Sequence, residues 1–221
     1  MKHNIQGAPS FSYIEFTLSP HETLIAESGA MASMDAGLDQ KAKMNGGFFG
    51  ALARKFLGRE SFFVSHFSNN TGKDAKIIIT QDTPGDIKAI KLSGGGFFIE
   101  GGAFVACEPG VTLQVKWAGF SSLLAGEGLL RNYVSGNGAV FIGGYGAIYE
   151  KEVDGEYIID SSHILGYSKD IKIKLAMSGG LFSSFFSGEG LVARVEGKGK
   201  VYLQSRSLTN MARFINPRLP V

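Results

Sequence analysis

The chain has 221 residues, 44% hydrophobic and 19% charged, the balance of a globular protein able to bury a core. Its net charge of +2 is too small for the clustered basic surface that nucleic acid requires, so nucleic acid is set aside as a partner. A single cysteine, Cys107, excludes an intrachain disulfide and a cysteine-based zinc cluster, and reads as a small buried hydrophobe in a reducing compartment.

The first residues, MKHNIQGAPSFSYIEF, hold no apolar stretch of signal-peptide length, and nowhere does the chain reach the roughly 18 consecutive apolar residues of a spanning helix. A cytoplasmic location is expected. From Thr23 the chain reads TLIAESGAMASMD: an apolar run, an acid (Glu27), small residues and a second run. The same order returns in GFFIEGGAFVACEPG around Glu100 and in EYIIDSSHILGYSKD around Asp160. Downstream of each comes a second matching segment, at 45–80, 117–144 and 177–205. Each of these holds a glycine- and aromatic-rich turn, an alternating apolar stretch, a glycine-bearing break and another alternation. Gly-Glu-Gly marks the later two, at Glu127 and Glu189, and Gly58-Arg59-Glu60 stands in its place in the first. Self-similarity at this length signals a repeat architecture.

Within the units the apolar period is two, as in strands. Leu191, Ala193 and Val195 alternate with Val192, Arg194 and Glu196, and Gly197-Lys198-Gly199 then reads as a hairpin turn into Lys200–Leu203. Gly136-Asn137-Gly138 reads the same way, since Asn-Gly suits the positive φ angles of a tight hairpin. Asn70-Thr71-Gly72-Lys73 takes that place in the first unit. Helix is expected only over 48–57 and over 207–215, the latter capped by Ser207 and stopped by Pro217. The expected fold is all-β: one compact unit, 1–221, of three degenerate β-sandwich or short double-stranded β-helix-like repeats (11–82, 86–153 and 156–206) around a pseudo-threefold axis. A short helical insertion and a C-terminal helix and tail (207–221) complete it.

The Gly-Glu-Gly-Leu segments at 126–130 and 188–192, the Gly-x-Gly elements after them and the ending Gln204-Ser205-Arg206-Ser207-Leu208 resemble a widespread bacterial family related to the yeast altered-inheritance-of-mitochondria protein of mitochondrial biogenesis. The resemblance covers nearly the whole chain. It implies a fold of repeated β units similar to the tryptophan RNA-binding attenuation protein, and it supplies no catalytic, ligand or cofactor residues. Fold likeness does not transfer function, so RNA binding is not inferred.

Familiar chemistry is missing from the sequence. The Gly-Lys pairs at 72, 197 and 199 lack the remainder of a phosphate loop, and the glycine clusters at 94–96 and 143–146 sit among strands with no helix to take a pyrophosphate. His3, His21, His66 and His163 have no partner at metal-ligand spacing, and Cys107 has no neighbouring base, so no catalytic residue, metal or cofactor is expected. Two residue sets remain. The acids Glu27, Glu100 and Asp160, with Glu60, Glu127 and Glu189, either fix turns in each unit or form carboxylate rings for a small ligand or metal. The first insertion places Phe48, Phe49, Leu52 and Phe56 on one helical face beside Arg54 and Lys55, either a plug over the core or a surface for a partner or membrane. The expected function is a non-enzymatic scaffold or regulatory interaction protein, self-associating or membrane-peripheral; a ligand-binding module and an enzyme of unfamiliar type are the alternatives.

Overall fold

The computed structural model describes residues 1–44, 63–117, 130–177 and 191–219. Over these the chain is mostly strand with one C-terminal α-helix, as the period of two predicts. The first stretch lays down β1 (Lys2–Gln6), β2 (Tyr13–Leu18), β3 (Thr23–Glu27), β4 (Met31–Met34), β5 (Leu38–Met44), β6 (Phe63–Asn69) and β7 (Ala75–Ile79). The second holds β8 (Ile87–Ile99), β9 (Phe104–Cys107), β10 (Val111–Trp117) and β11 (Leu130–Gly143). The third holds β12 (Ile148–Asp160), β13 (Ile164–Ser168), β14 (Ile171–Met177) and β15 (Leu191–Gln204), before the helix α1 (Leu208–Ile215). One sheet runs β1-β2-β7-β4; the other runs β12-β15-β13-β8-β11-β9-β3-β6-β5, with β10 also on β11 and β14 on β15.

The expected hairpin turns at the Gly-x-Gly sites are corrected by this topology. β11 continues through Gly136-Asn137-Gly138 with a register shift against β8, and β15 runs unbroken through Gly197-Lys198-Gly199. What the glycines permit is a bend within one long strand. Ile99 on β8 faces Asn132, while Phe104, shortly after it on β9, faces Ile142 at the other end of β11. A straight strand from Asn132 to Ile142 would span about 33 Å, whereas the chain from Ile99 to Phe104 reaches at most ~18 Å. β11 therefore bends, and its two halves pair with different short strands, β10 up to Gly136 and β9 from Val140. At the bend Gly136 has φ 124°, and a Cβ there would lie 2.2 Å from the carbonyl oxygen of Gly110. Gly197 repeats this, with φ 124° and 2.4 Å to the Asp170 oxygen.

In the first stretch the strand is broken between β6 and β7, which pair with different neighbours rather than with each other. The excursion is held by Asn69, wholly buried, whose amide donates to the carbonyls of Leu18 and Lys73 at 2.8 Å each. Its side-chain oxygen accepts from the Thr71 N–H (3.0 Å) and hydroxyl (2.7 Å). A buried amide with all these partners specifies one loop path.

Three buried clusters result. Ile14, Phe16, Leu18, Phe67 and Ile77 centre the first, Phe104, Val134, Val140 and Ile142 the second, and Tyr167, Ala193, Val195 and Val201 the third. The three short strands share one irregularity. Met31 and Ser33 face Ile79 and Ile78, Phe104 and Ala106 face Ile142 and Phe141, and Ile164 and Gly166 face Leu203 and Tyr202, each skipping one residue. The expected pseudo-threefold axis is not something these pairings establish, because among the described residues no ladder joins β12 to β4.

Candidate functional site

Three hairpins, β5/β6, β10/β11 and β14/β15, close with Met44 opposite Phe63, Trp117 opposite Leu130 and Met177 opposite Leu191. The segments at their tips lie outside the described residues. Phe48, Phe49, Leu52, Arg54, Lys55 and Phe56 belong to the first tip, with Glu60, and Glu127 and Glu189 to the other two.

The remaining acids, Glu27, Glu100 and Asp160, each stand at a corner between two strands, β3 and β4, β8 and β9, and β12 and β13. The carbonyl of Glu27 accepts from Ala30 N–H and that of Glu100 from Ala103 N–H, both at 3.2 Å. Asp160 uses its side chain instead: Oδ1 accepts from the Ser162 N–H at 3.0 Å and hydroxyl at 2.8 Å, capping a single 3-10 turn, Ser161–His163. Glu27 is half-buried, and burial, with the nearby charge of Asp82, pushes its carboxyl up to about 7. Among the described residues no three His, Cys, Asp or Glu side chains are grouped to hold a metal ion. The Cys107 thiol is fully buried and pushed up to about 12, first by burial and then by the Glu108 charge, so it stays protonated and inert.

A cleft of about 270 Å³ lies between the Glu100 and Asp160 corners and the start of α1, lined among others by Glu100, Gly144, Ser162, Gln204 and Leu208. Gln204 organises it: its amide donates to the Ser162 carbonyl at 2.9 Å and its oxygen accepts from Tyr145 N–H at 2.8 Å. His163 Nδ1 lies 2.7 Å from the Gln204 backbone carbonyl, which can only accept, so the proton sits on Nδ1.

The helix beside this cleft departs most from ordinary packing. Ser207, buried, accepts the Asn210 N–H at 3.2 Å and caps α1 as its sequence predicts. No residue of α1 is buried. Leu208 is 53% exposed, Met211 42% and Phe214 62%, with Leu219 beyond them at 57%. The hold on the body is slight, a Tyr145 hydroxyl donating to Met211 Sδ. Arg206, Arg213 and Arg218 are exposed around it, and the sequence from 205 to 221 contains no Asp or Glu. The sequence reading placed this helix but not its open apolar face; the spacing of Leu208, Met211 and Phe214 was the available signal.

The class defined by these features is an all-β protein of long bent strands in linked antiparallel sheets, ending in one uncovered amphipathic helix. A family model described as mitochondrial biogenesis AIM24 matches residues 3–206, and the chain belongs to that family. An uncharacterised protein of Streptococcus pyogenes serotype M6 is 24% identical over 229 residues, covering 100% of this chain and 92% of the relative. A crystal structure of a Streptococcus pyogenes protein, 25% identical, superposes with a TM-score of 0.79 over 99% of both chains. No described helix is long and apolar enough to cross a membrane.

Proposed function

We propose that this chain is a non-enzymatic interaction protein of the cytoplasm, docking on an anionic membrane surface through α1 and associating with itself through its sheets. The observation that carries the membrane half is the exposure of Leu208, Met211 and Phe214 on a helix in a segment, 205–221, whose charged side chains are all arginines. An eight-residue helix with no buried residue is marginal alone in water. A headgroup interface covers its apolar stripe and attracts its arginines at once. Each of the three arginines contributes about 1 kcal/mol near an anionic leaflet, and each large apolar side chain up to ~1.5–3 kcal/mol on full burial. Phe48, Phe49 and Phe56 with Arg54 and Lys55 carry the same combination in sequence and are proposed as a second membrane-contacting segment.

Vesicle flotation tests it. Wild type floats with phosphatidylglycerol vesicles, stays down with neutral phosphatidylcholine, and is released by high salt. Leu208→Ser with Phe214→Ser lowers the bound fraction about tenfold or more without changing the circular dichroism of the sheets. Phe48→Ser/Phe49→Ser/Phe56→Ser tests the tip in the same assay. A wild type that floats with neither vesicle, or equally with both, overturns the reading.

A further inference from the structure

We infer that a second copy of this chain completes the open sheet, its β4 pairing antiparallel with the free edge of β12 at Glu156–Asp160 in head-to-tail order. The inference rests on the self-association half of the proposed function and gives it an atomic form.

The chain makes this junction twice within itself. β3 meets β9 with Ile25 opposite Cys107 and Ala26 opposite Ala106. β8 meets β13 with Ile99 opposite Gly166, Phe98 opposite Tyr167 and Phe97 opposite Ser168. Counted from the corner acids the two registers are the same: the residue just before Glu27 or Glu100 faces the sixth residue after the next acid, Glu100 or Asp160. A third strand of the same kind, β12, ends in Tyr157-Ile158-Ile159 before Asp160, and a third receiver, β4, carries Ser33 six residues after Glu27. Neither is used. Among the described residues β12 has β15 on one side and no strand on the other, and β4 has only β7.

Exposure follows the vacancy. At the two filled junctions Cys107 and Ala106 are wholly buried, Tyr167 is 2% exposed and Phe97 4%. On the open strands Ile158 is 56% exposed and Tyr157 42%, and Ala32 and Ser33 are exposed. An edge presenting apolar side chains and unpaired backbone groups is a template for another strand. The other half of β12 is charged, with Glu150, Lys151, Glu152 and Asp154, and so discourages pairing. Because β12 does not pair with β4 of its own chain among the described residues, the same step passes to the next copy, and in the proposed assembly this heterologous contact repeats with a rotation that closes a ring rather than a filament. The register carried over sets Ile159 opposite Ser33, Ile158 opposite Met34 and Tyr157 opposite Asp35 of the second copy. Phe98 against Tyr167, stacked with ring centroids 5.3 Å apart, is the internal counterpart of Ile158 against Met34.

Native mass spectrometry and light scattering of the full chain at tens of micromolar read the outcome. Wild type is expected as one species of fixed copy number above one. Ile158→Lys and Ser33→Lys, both at exposed positions, are each expected to be folded monomers. Mixed, they form a one-to-one dimer, since each retains the edge the other has lost. The double variant Ile158→Cys/Met34→Cys, oxidised, gives a disulfide-linked ladder in denaturing gels, while either single change gives none beyond a dimer. A monomeric wild type overturns both this inference and the self-association half of the functional reading. An oligomer that survives Ile158→Lys and Ser33→Lys, or variants whose mixture stays monomeric, overturns the strand junction and leaves self-association by another surface standing; flotation scores the membrane half separately.

Discussion

Glu27 allows a stability argument to be worked through with its sign. Its carboxyl, half-buried at the end of β3, is raised from an ordinary value of 4.5 to about 7, by burial first and by the Asp82 charge second. The folded chain therefore holds a proton there that the unfolded chain has released between about pH 4.5 and 7, so folding loses stability as pH rises through that window and stays lower above it. The full shift corresponds to about 3 kcal/mol, and partial exposure of the side chain brings the expected effect to about 1–2 kcal/mol. Glu27→Gln keeps the shape and removes the titration. In urea unfolding at a series of pH values, the variant is expected to gain about 1–2 kcal/mol on wild type between about pH 4 and pH 8, with other groups cancelling in the difference. Asp82→Asn, which leaves Glu27 in place, should shift the same curve toward lower pH. A difference curve flat to within about 0.3 kcal/mol over that range would show that the corner leaves Glu27 solvated, and would refute the reasoning.

Gly136→Ala meets both a positive φ and a backbone oxygen 2.2 Å from the new Cβ, and is expected to cost about 3 kcal/mol or more in urea unfolding. Gly94→Ala, with φ 77° but open space around it, should cost only about 1–2 kcal/mol, so equal losses would show that the close approach at the bend of β11 is not the cause. Asn69→Ala removes the amide donor to the Leu18 and Lys73 carbonyls, the latter keeping only the Thr71 hydroxyl, and is expected to cost roughly 2–4 kcal/mol, with proteolysis between 70 and 74 as a local readout; unchanged stability would mean that water replaces the amide.

Much of the fold is legible in the residues because strand side chains alternate at a period of two. Ile14, Phe16 and Leu18 on β2, and Ala193 and Val195 on β15, are buried as that period requires. Ser207 marks the helix start for an equally local reason, a side-chain oxygen meeting an N–H three residues on. The Gly-x-Gly sites misled because a glycine tolerates positive φ equally in a tight turn and in a bend within a strand. Which of the two occurs at Gly136 or Gly197 depends on the strand laid alongside, where Gly110 and Asp170 bring their carbonyls close. The corner acids were visible as a repeated pattern, but only packing separates Glu27, raised by burial, from Asp160, which spends its carboxylate on Ser162.

The sequence by itself determined the predominance of strand and the C-terminal helix, since these follow from contacts between near neighbours. Only the tertiary structure decided which edges are occupied. Ile25 and Phe98 are covered by strands from the next part of the chain while Ile158, on the same kind of segment before the same kind of corner, is left exposed. A strand's side chains fix which face it buries, but whether its edge is filled depends on which strands the fold brings alongside, and β13, the short strand that follows β12, already lies between β15 and β8.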